Sequence, residues 1–111
     1  NLTTLHLSAT HISDEGLQHL AGLTQLETLI MNGTLIAGPG LDHLRGMQSL
    51  ERIELTGTEL DDAGLQRLSP LKSLRIVVTA KTRVTQTGIR AIKPNAAMKN
   101  VRIWHDASPA P

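Results

Sequence analysis

The stretch Leu50-Glu51-Arg52-Ile53-Glu54-Leu55-Thr56-Gly57-Thr58-Glu59-Leu60-Asp61-Asp62-Ala63-Gly64-Leu65-Gln66-Arg67-Leu68 decides the fold, because it recurs. Leu2, Leu26, Leu50, Leu74 and Met98 stand 24 residues apart and open five copies. Each copy continues with Leu5, Leu29, Ile53, Val77 or Val101, and then Leu7, Met31, Leu55, Thr79 or Ile103. Thr10, Thr34, Thr58 and Thr82 follow, then Ile12, Ile36, Leu60 and Val84. Gly16, Gly40, Gly64 and Gly88 come next, each ahead of Leu or Ile, and Leu20, Leu44, Leu68 and Ile92 close the apolar set. A period of this length means a solenoid, in which each unit buries its apolar face only against its neighbours.

Within Leu50–Ser73, Ile53 and Leu55 lie two apart and share one face of a strand, so Arg52, Glu54 and Thr56 face the other way. Identical connections make successive strands parallel. Strands are predicted near 4–7, 28–31, 52–55, 76–79 and 100–103, with helices beginning near 14, 38, 62 and 86. Thr56-Gly57 turns the chain out of the strand. The Thr58 hydroxyl falls where the chain bends inward and can satisfy backbone there, so the four threonines form an internal ladder. Asp62 sits where a helix N-cap belongs, with Leu65 and Leu68 on the buried side, and Asp14 holds the same place in the first copy. The second copy offers Gly38-Pro39, and in the fourth Thr85 can cap. Glycine inside a helix costs about 1 kcal/mol relative to alanine. Its presence in all four copies points to a close approach that excludes a Cβ.

The pattern L-x-x-L-x-L-x-x-T-x-I-x-D-x-G-L-x-x-L-x-x-L resembles the leucine-rich repeat family, most closely in Leu2–Gln25 and Leu50–Ser73. It is similar to the bacterial repeats that carry threonine where other subfamilies have asparagine or cysteine. The resemblance implies an α/β fold: a right-handed solenoid or horseshoe fragment, with a parallel sheet on the concave side and helices on the convex side. It also implies a non-catalytic scaffold that binds a protein on the concave face, as part of a larger bacterial protein. The expected domain runs over 1–104, with four full repeats starting at 2, 26, 50 and 74 plus a terminal strand, and 105–111 form a tail.

The ends differ. Leu2, Leu5, Leu7, Ile12, Leu17 and Leu20 are expected to face outward for want of an upstream repeat, as at an artificial cut. Thr79 and Asn95 replace apolar residues in the last full copy, as a native polar cap would. Net charge is +1, yet residues 1–62 hold nine acids and two bases, and residues 63–111 hold nine bases and one acid. A solenoid keeps sequence order in space, so one end is acidic and the other basic. The alternative function is therefore a structural or assembly module that associates weakly end to end through its repeat termini.

The outward strand positions form columns at the 24-residue register. The first is Thr4, Thr28, Arg52, Ile76 and Asn100, the second His6, Ile30, Glu54, Val78 and Arg102, and the third Ser8, Asn32, Thr56, Ala80 and Trp104. Arg52, Glu54, Ile76, Val78, Arg102 and Trp104 are the candidate concave-face binding residues, since arginine and aromatic residues are the usual interface anchors. Trp104 has a second reading, as a lid folded over the open end.

No cofactor is expected. There is no cysteine, and His19 and His43 repeat on neighbouring helices without a third ligand, so they read as solvated surface. His6, His11 and His105 have no repeated partner. Gly38-Pro39-Gly40 begins a helix and is not a phosphate loop, and the serines lack an organised histidine and acid, so no catalytic set is read. Asn32-Gly33-Thr34 matches a glycosylation acceptor, but Thr34 belongs to the ladder; Asn1-Leu2-Thr3 matches too. Lys81, Arg83, Arg90, Lys93, Lys99 and Arg102 make a basic region with no interleaved aromatics, which disfavours nucleic acid. No apolar run is long enough to span a membrane.

Overall fold

Each of the four full copies folds as a strand, a turn and a short helical segment. The structure, a computed structural model, describes residues 2–92 and 101–105. Five strands, β1 Thr4–His6, β2 Thr28–Ile30, β3 Arg52–Glu54, β4 Ile76–Val78 and β5 Arg102–Trp104, form one parallel sheet in chain order. Opposite the sheet lie the 3₁₀ segments Glu15–Leu20 and Pro39–Leu44 and the helices α1 Asp62–Gln66 and α2 Gln86–Ile92. Strands and helices bracket a single core in which Leu29, Met31, Ile53, Leu55, Leu60 and Leu65 are fully buried. This is the α/β solenoid with a parallel sheet expected from the periodicity.

The first four strands keep the 24-residue register, as in Leu5↔Leu29 and Ile53↔Val77. The fifth does not. Ile76 pairs with Arg102 and Val78 with Trp104, so the last step is 26 residues. A shift of two residues leaves every side chain on its expected face, because side chains alternate with period two. Val101 is accordingly buried and Ile103 packs against the core. Met98, Asn95, Asn100, Lys93, Lys99, Asn1 and the tail after His105 lie outside the described residues.

The turn after each strand has a shared geometry that the periodicity did not announce. Ala9, Gly33, Gly57 and Lys81, one repeat apart, all take a left-handed φ between 57° and 72°. Ala9, Gly33 and Gly57 each donate an amide to the next repeat's turn, to Asn32, Thr56 and Ala80 respectively. The ladder residue follows. Thr10, Thr34, Thr58 and Thr82 donate their hydroxyls to the carbonyls of Leu7, Met31, Leu55 and Thr79 at 2.6–2.8 Å. Thr34 and Thr58 are buried, so the bond satisfies groups that water cannot reach.

The helix starts agree with the sequence reading except at α1. Asp14 and Gly38 hold the cap positions of the two 3₁₀ segments, as expected, but without a side-chain cap bond, whereas α1 is capped by Asp61 rather than Asp62. Asp61 caps α1 by accepting the Gly64 amide at 2.8 Å, and Thr85 Oγ1 accepts the Gly88 amide at 3.4 Å. The first two repeats form 3₁₀ segments, in which the Leu17 and Leu41 amides bond three residues back, to the Asp14 and Gly38 carbonyls. Asp14 and Asp62 instead reach into the following repeat. Asp14 accepts the amides of Ala37, Gly38 and Gly40 at 2.9–3.0 Å. Asp62 accepts the Thr85 amide at 2.7 Å and the Thr85 hydroxyl at 2.6 Å.

Close stacking explains three of the four recurring glycines; at Gly16 a Cβ would meet only Ile12 of its own repeat. A Cβ on Gly40 would lie 2.3 Å from the Asp14 carbonyl oxygen, and one on Gly88 would lie 2.1 Å from Asp62 Oδ1. On Gly64 it would lie 2.7 Å from the Cα of Gly38, itself at φ 140°. Repeats therefore stack at backbone contact on the helical side. The overlap also buries Leu17 completely, contrary to the expectation that it faces outward. Leu5, Leu7, Ile12 and Leu20 are partly buried and Leu2 is 48% exposed.

Candidate concave-face site

The six candidate residues occupy the outward face of three neighbouring strands. The corrected register makes them a tighter block than the 24-residue columns implied. Arg52, Ile76 and Arg102 form one row across β3, β4 and β5, and Glu54, Val78 and Trp104 form the next. Trp104 stands across from Val78 rather than Ala80, and Arg102 across from Ile76 rather than Val78. Neighbouring strands are about 4.8 Å apart, so side chains within a row touch or nearly touch. Ile76 and Val78 are half-buried, whereas Trp104 remains 42% exposed on the sheet rather than closing the end as a lid.

At the centre of the sheet the polar groups are tied to one another. Arg52 Nε donates to Glu54 Oε2 at 2.7 Å, and Asn32 Nδ2 donates to Glu54 Oε1 at 3.0 Å. Asn32 Oδ1 accepts the Thr56 amide at 2.8 Å, which fixes the asparagine between two strands. Burial by itself raises the Glu54 pKa. The hydrogen bonds from Asn32 and Arg52, with the charges of Arg52 and His6, outweigh it and hold the carboxyl below its ordinary value. Asn32 was not among the candidate residues, and its bond to Glu54 runs between neighbouring columns of the sheet. The same bonds occupy the amide that a glycan would need, and Thr34 is buried.

The basic end is secured differently. Thr79, polar where other copies are apolar, is fully buried and donates both its amide and its hydroxyl to the Trp104 carbonyl, at 2.7 and 3.2 Å. His105 Nδ1 lies 3.0 Å from the Thr79 carbonyl. These bonds hold β5 and so hold Trp104. Arg102 is exposed and has no ion-pair partner among the described residues.

On the helical side, His19 and His43 are exposed, and Arg67, next in line, pairs with Asp42. Arg83 pairs with Glu59 at 3.2 Å. Both pairs run from one repeat to the preceding one. Among the described residues no group of histidine, aspartate or glutamate is placed to hold a metal ion, and no helix is long and apolar enough to cross a membrane.

The leucine-rich repeat family model matches residues 1–21 and 46–69, the first and third copies, where the pattern is most regular. The chain carries leucine-rich repeats in these two segments. Among solved structures, the chain is similar to an internalin from Listeria monocytogenes, with 18% identity and a TM-score of 0.56. The match covers 97% of this chain and 35% of that one, so the chain spans about a third of the internalin's length. At that identity the likeness speaks for the fold alone. No curated protein matches in sequence.

Proposed function

We propose that the chain is a non-catalytic protein-recognition module that binds its partner on the concave sheet face, within a larger bacterial protein. The observation that carries this reading is the block around Ile76, Val78 and Trp104. It places aliphatic and aromatic surface on the open side of the sheet, rimmed by Arg52, Glu54 and Arg102. Interfaces of this kind are centred on aromatic and arginine anchors with a polar rim. A photo-crosslinking side chain at position 76 should capture a protein partner, and the same group at His19 or His43 should not. Capture confined to the helical side would move the interface there.

A second reading, assembly end to end, is favoured by the half-exposed leucines of the first repeat and by the acidic and basic halves. Sedimentation at rising salt tests it. Association that survives salt is apolar in origin, association that disappears is electrostatic, and a single monomeric species throughout removes this reading.

A further inference from the structure

The concave face does not present its charge evenly. Glu54, the acid among the six candidate residues, has both oxygens occupied, one by Arg52 and one by Asn32. Arg52 is in turn committed to Glu54. Arg102 is left as the exposed cation without an ion-pair partner among the described residues, and it sits one strand from Ile76 and two residues from Trp104. Three large apolar side chains are exposed among the described residues, Leu2, Leu35 and Trp104, and of these Trp104 alone lies on the outward face of the sheet. The half of the chain that carries this end holds nine bases and one acid. An anion approaching it is steered by the surrounding field and meets an uncommitted guanidinium beside an apolar floor.

We infer that the partner surface seated on β4 and β5 is an acidic protein segment bearing an aliphatic or aromatic residue next to a carboxylate, the apolar side chain packing on Ile76, Val78 and Trp104 and the carboxylate pairing with Arg102. This inference rests on the concave-face reading and adds the chemistry of the occupant. Nucleic acid fits the same face poorly. A phosphate backbone demands a track of several cations, and here two aliphatic side chains are flanked by Arg102 and by Arg52, which is already paired with Glu54. Cationic segments are opposed by Arg102 and by the basic half around it.

Trp104 is the chain's single aromatic residue, so its emission reports directly on the site. The test uses capped peptides of alternating Glu and Leu, Lys and Leu, or Glu and Ser, and oligothymidylate, each titrated against the full chain with emission and calorimetry in parallel. The Glu-Leu peptide should shift Trp104 emission to the blue and saturate. The Lys-Leu and Glu-Ser peptides should bind at least about tenfold more weakly, and Arg102→Glu should weaken Glu-Leu binding about tenfold. Ile76→Ser should weaken it as well, and an unchanged urea midpoint in Arg102→Glu would show that the fold is intact. Preference for Lys-Leu with a Trp104 response would overturn the acidic assignment and leave the concave reading standing. Heat on adding Glu-Leu with Trp104 unmoved would overturn both. Stronger binding of oligothymidylate, no binding of Glu-Leu, or emission that shifts with protein concentration alone would each overturn the inference, the last by placing a second copy on this face.

Discussion

The carboxylate of Asp14 accepts the amide hydrogen of Gly38 at 3.0 Å, one full repeat further along the chain. The same carboxylate takes the amides of Ala37 and Gly40, so three donors at the start of a 3₁₀ segment converge on a residue of the preceding repeat. Hydrogen bonds to a charged group contribute about 1.5–3 kcal/mol, more than the neutral turn bonds around them. Asp14→Ala should therefore lower stability by about 2–3 kcal/mol. Asp14→Asn should cost less, since one oxygen remains but an amide group now faces a backbone donor. Asp42→Ala removes an exposed pair with Arg67 and should change stability by less than about 1 kcal/mol. Urea midpoints of the three variants check the ranking.

Gly40 and Gly22 make opposite demands on a methyl group. On Gly40 a Cβ would meet the Asp14 carbonyl oxygen at 2.3 Å and the Asp14 Cα at 2.5 Å, which are backbone atoms that cannot swing aside. Around Gly22 nothing lies within 4 Å. Gly40→Ala should destabilise by about 1–3 kcal/mol through forced separation of two repeats, and Gly22→Ala should stay within about 0.5 kcal/mol. Thermal unfolding of the two variants, side by side, measures the difference.

Thr58 and Thr56 separate the buried ladder from the sheet surface. Thr58 Oγ1 donates to the Leu55 carbonyl at 2.8 Å and accepts the Leu60 amide at 3.3 Å, all out of reach of water. Thr58→Val keeps the shape and strands those two groups, at a cost of about 1–3 kcal/mol. The side chain of Thr56 is half-buried on the outward face, so Thr56→Val should be near neutral. Equal midpoints for the two variants would contradict the ladder's role.

What the sequence disclosed and what it hid divide along a physical line. Strands β1 to β4, the threonine ladder and the excluded Cβ at Gly40, Gly64 and Gly88 all follow from period and face, which are local properties of the chain. Register at the last strand is not local. Val101 and Ile103 face inward under a step of 24 or of 26 residues, so alternation cannot distinguish the two, and the true neighbours of Trp104 had to be seen in space. The Asp62 cap failed for a related reason. Asp62 followed by Gly64 and Leu65 satisfies the sequence rule for a helix start, but its carboxylate is closer to Thr85 than to its own helix, because stacked repeats approach at backbone contact. Of the candidate site, the six residues and their face were legible. The lock that Asn32 places on Glu54 was not.

Glu54 supplies the pH dependence. Its folded pKa lies below the ordinary carboxylate value of 4.5, because bonds from Asn32 and Arg52 outweigh the cost of burial. In the window just below 4.5 the unfolded chain binds more protons at this site than the folded chain does, so stability rises with pH there. The contribution is fully present above the unfolded value and is lost as pH falls through the folded one. Glu54→Gln removes the titrating group while keeping the shape. The stability gap between the parent chain and Glu54→Gln should be constant near neutral pH, narrow below 4.5, and level off once the folded carboxylate is protonated. Chemical denaturation at a series of pH values follows that gap. A gap that widens on acidification would mean that burial, not the Asn32 and Arg52 bonds, controls the site, and Arg52→Ala should then leave the profile unchanged instead of shifting the loss to higher pH.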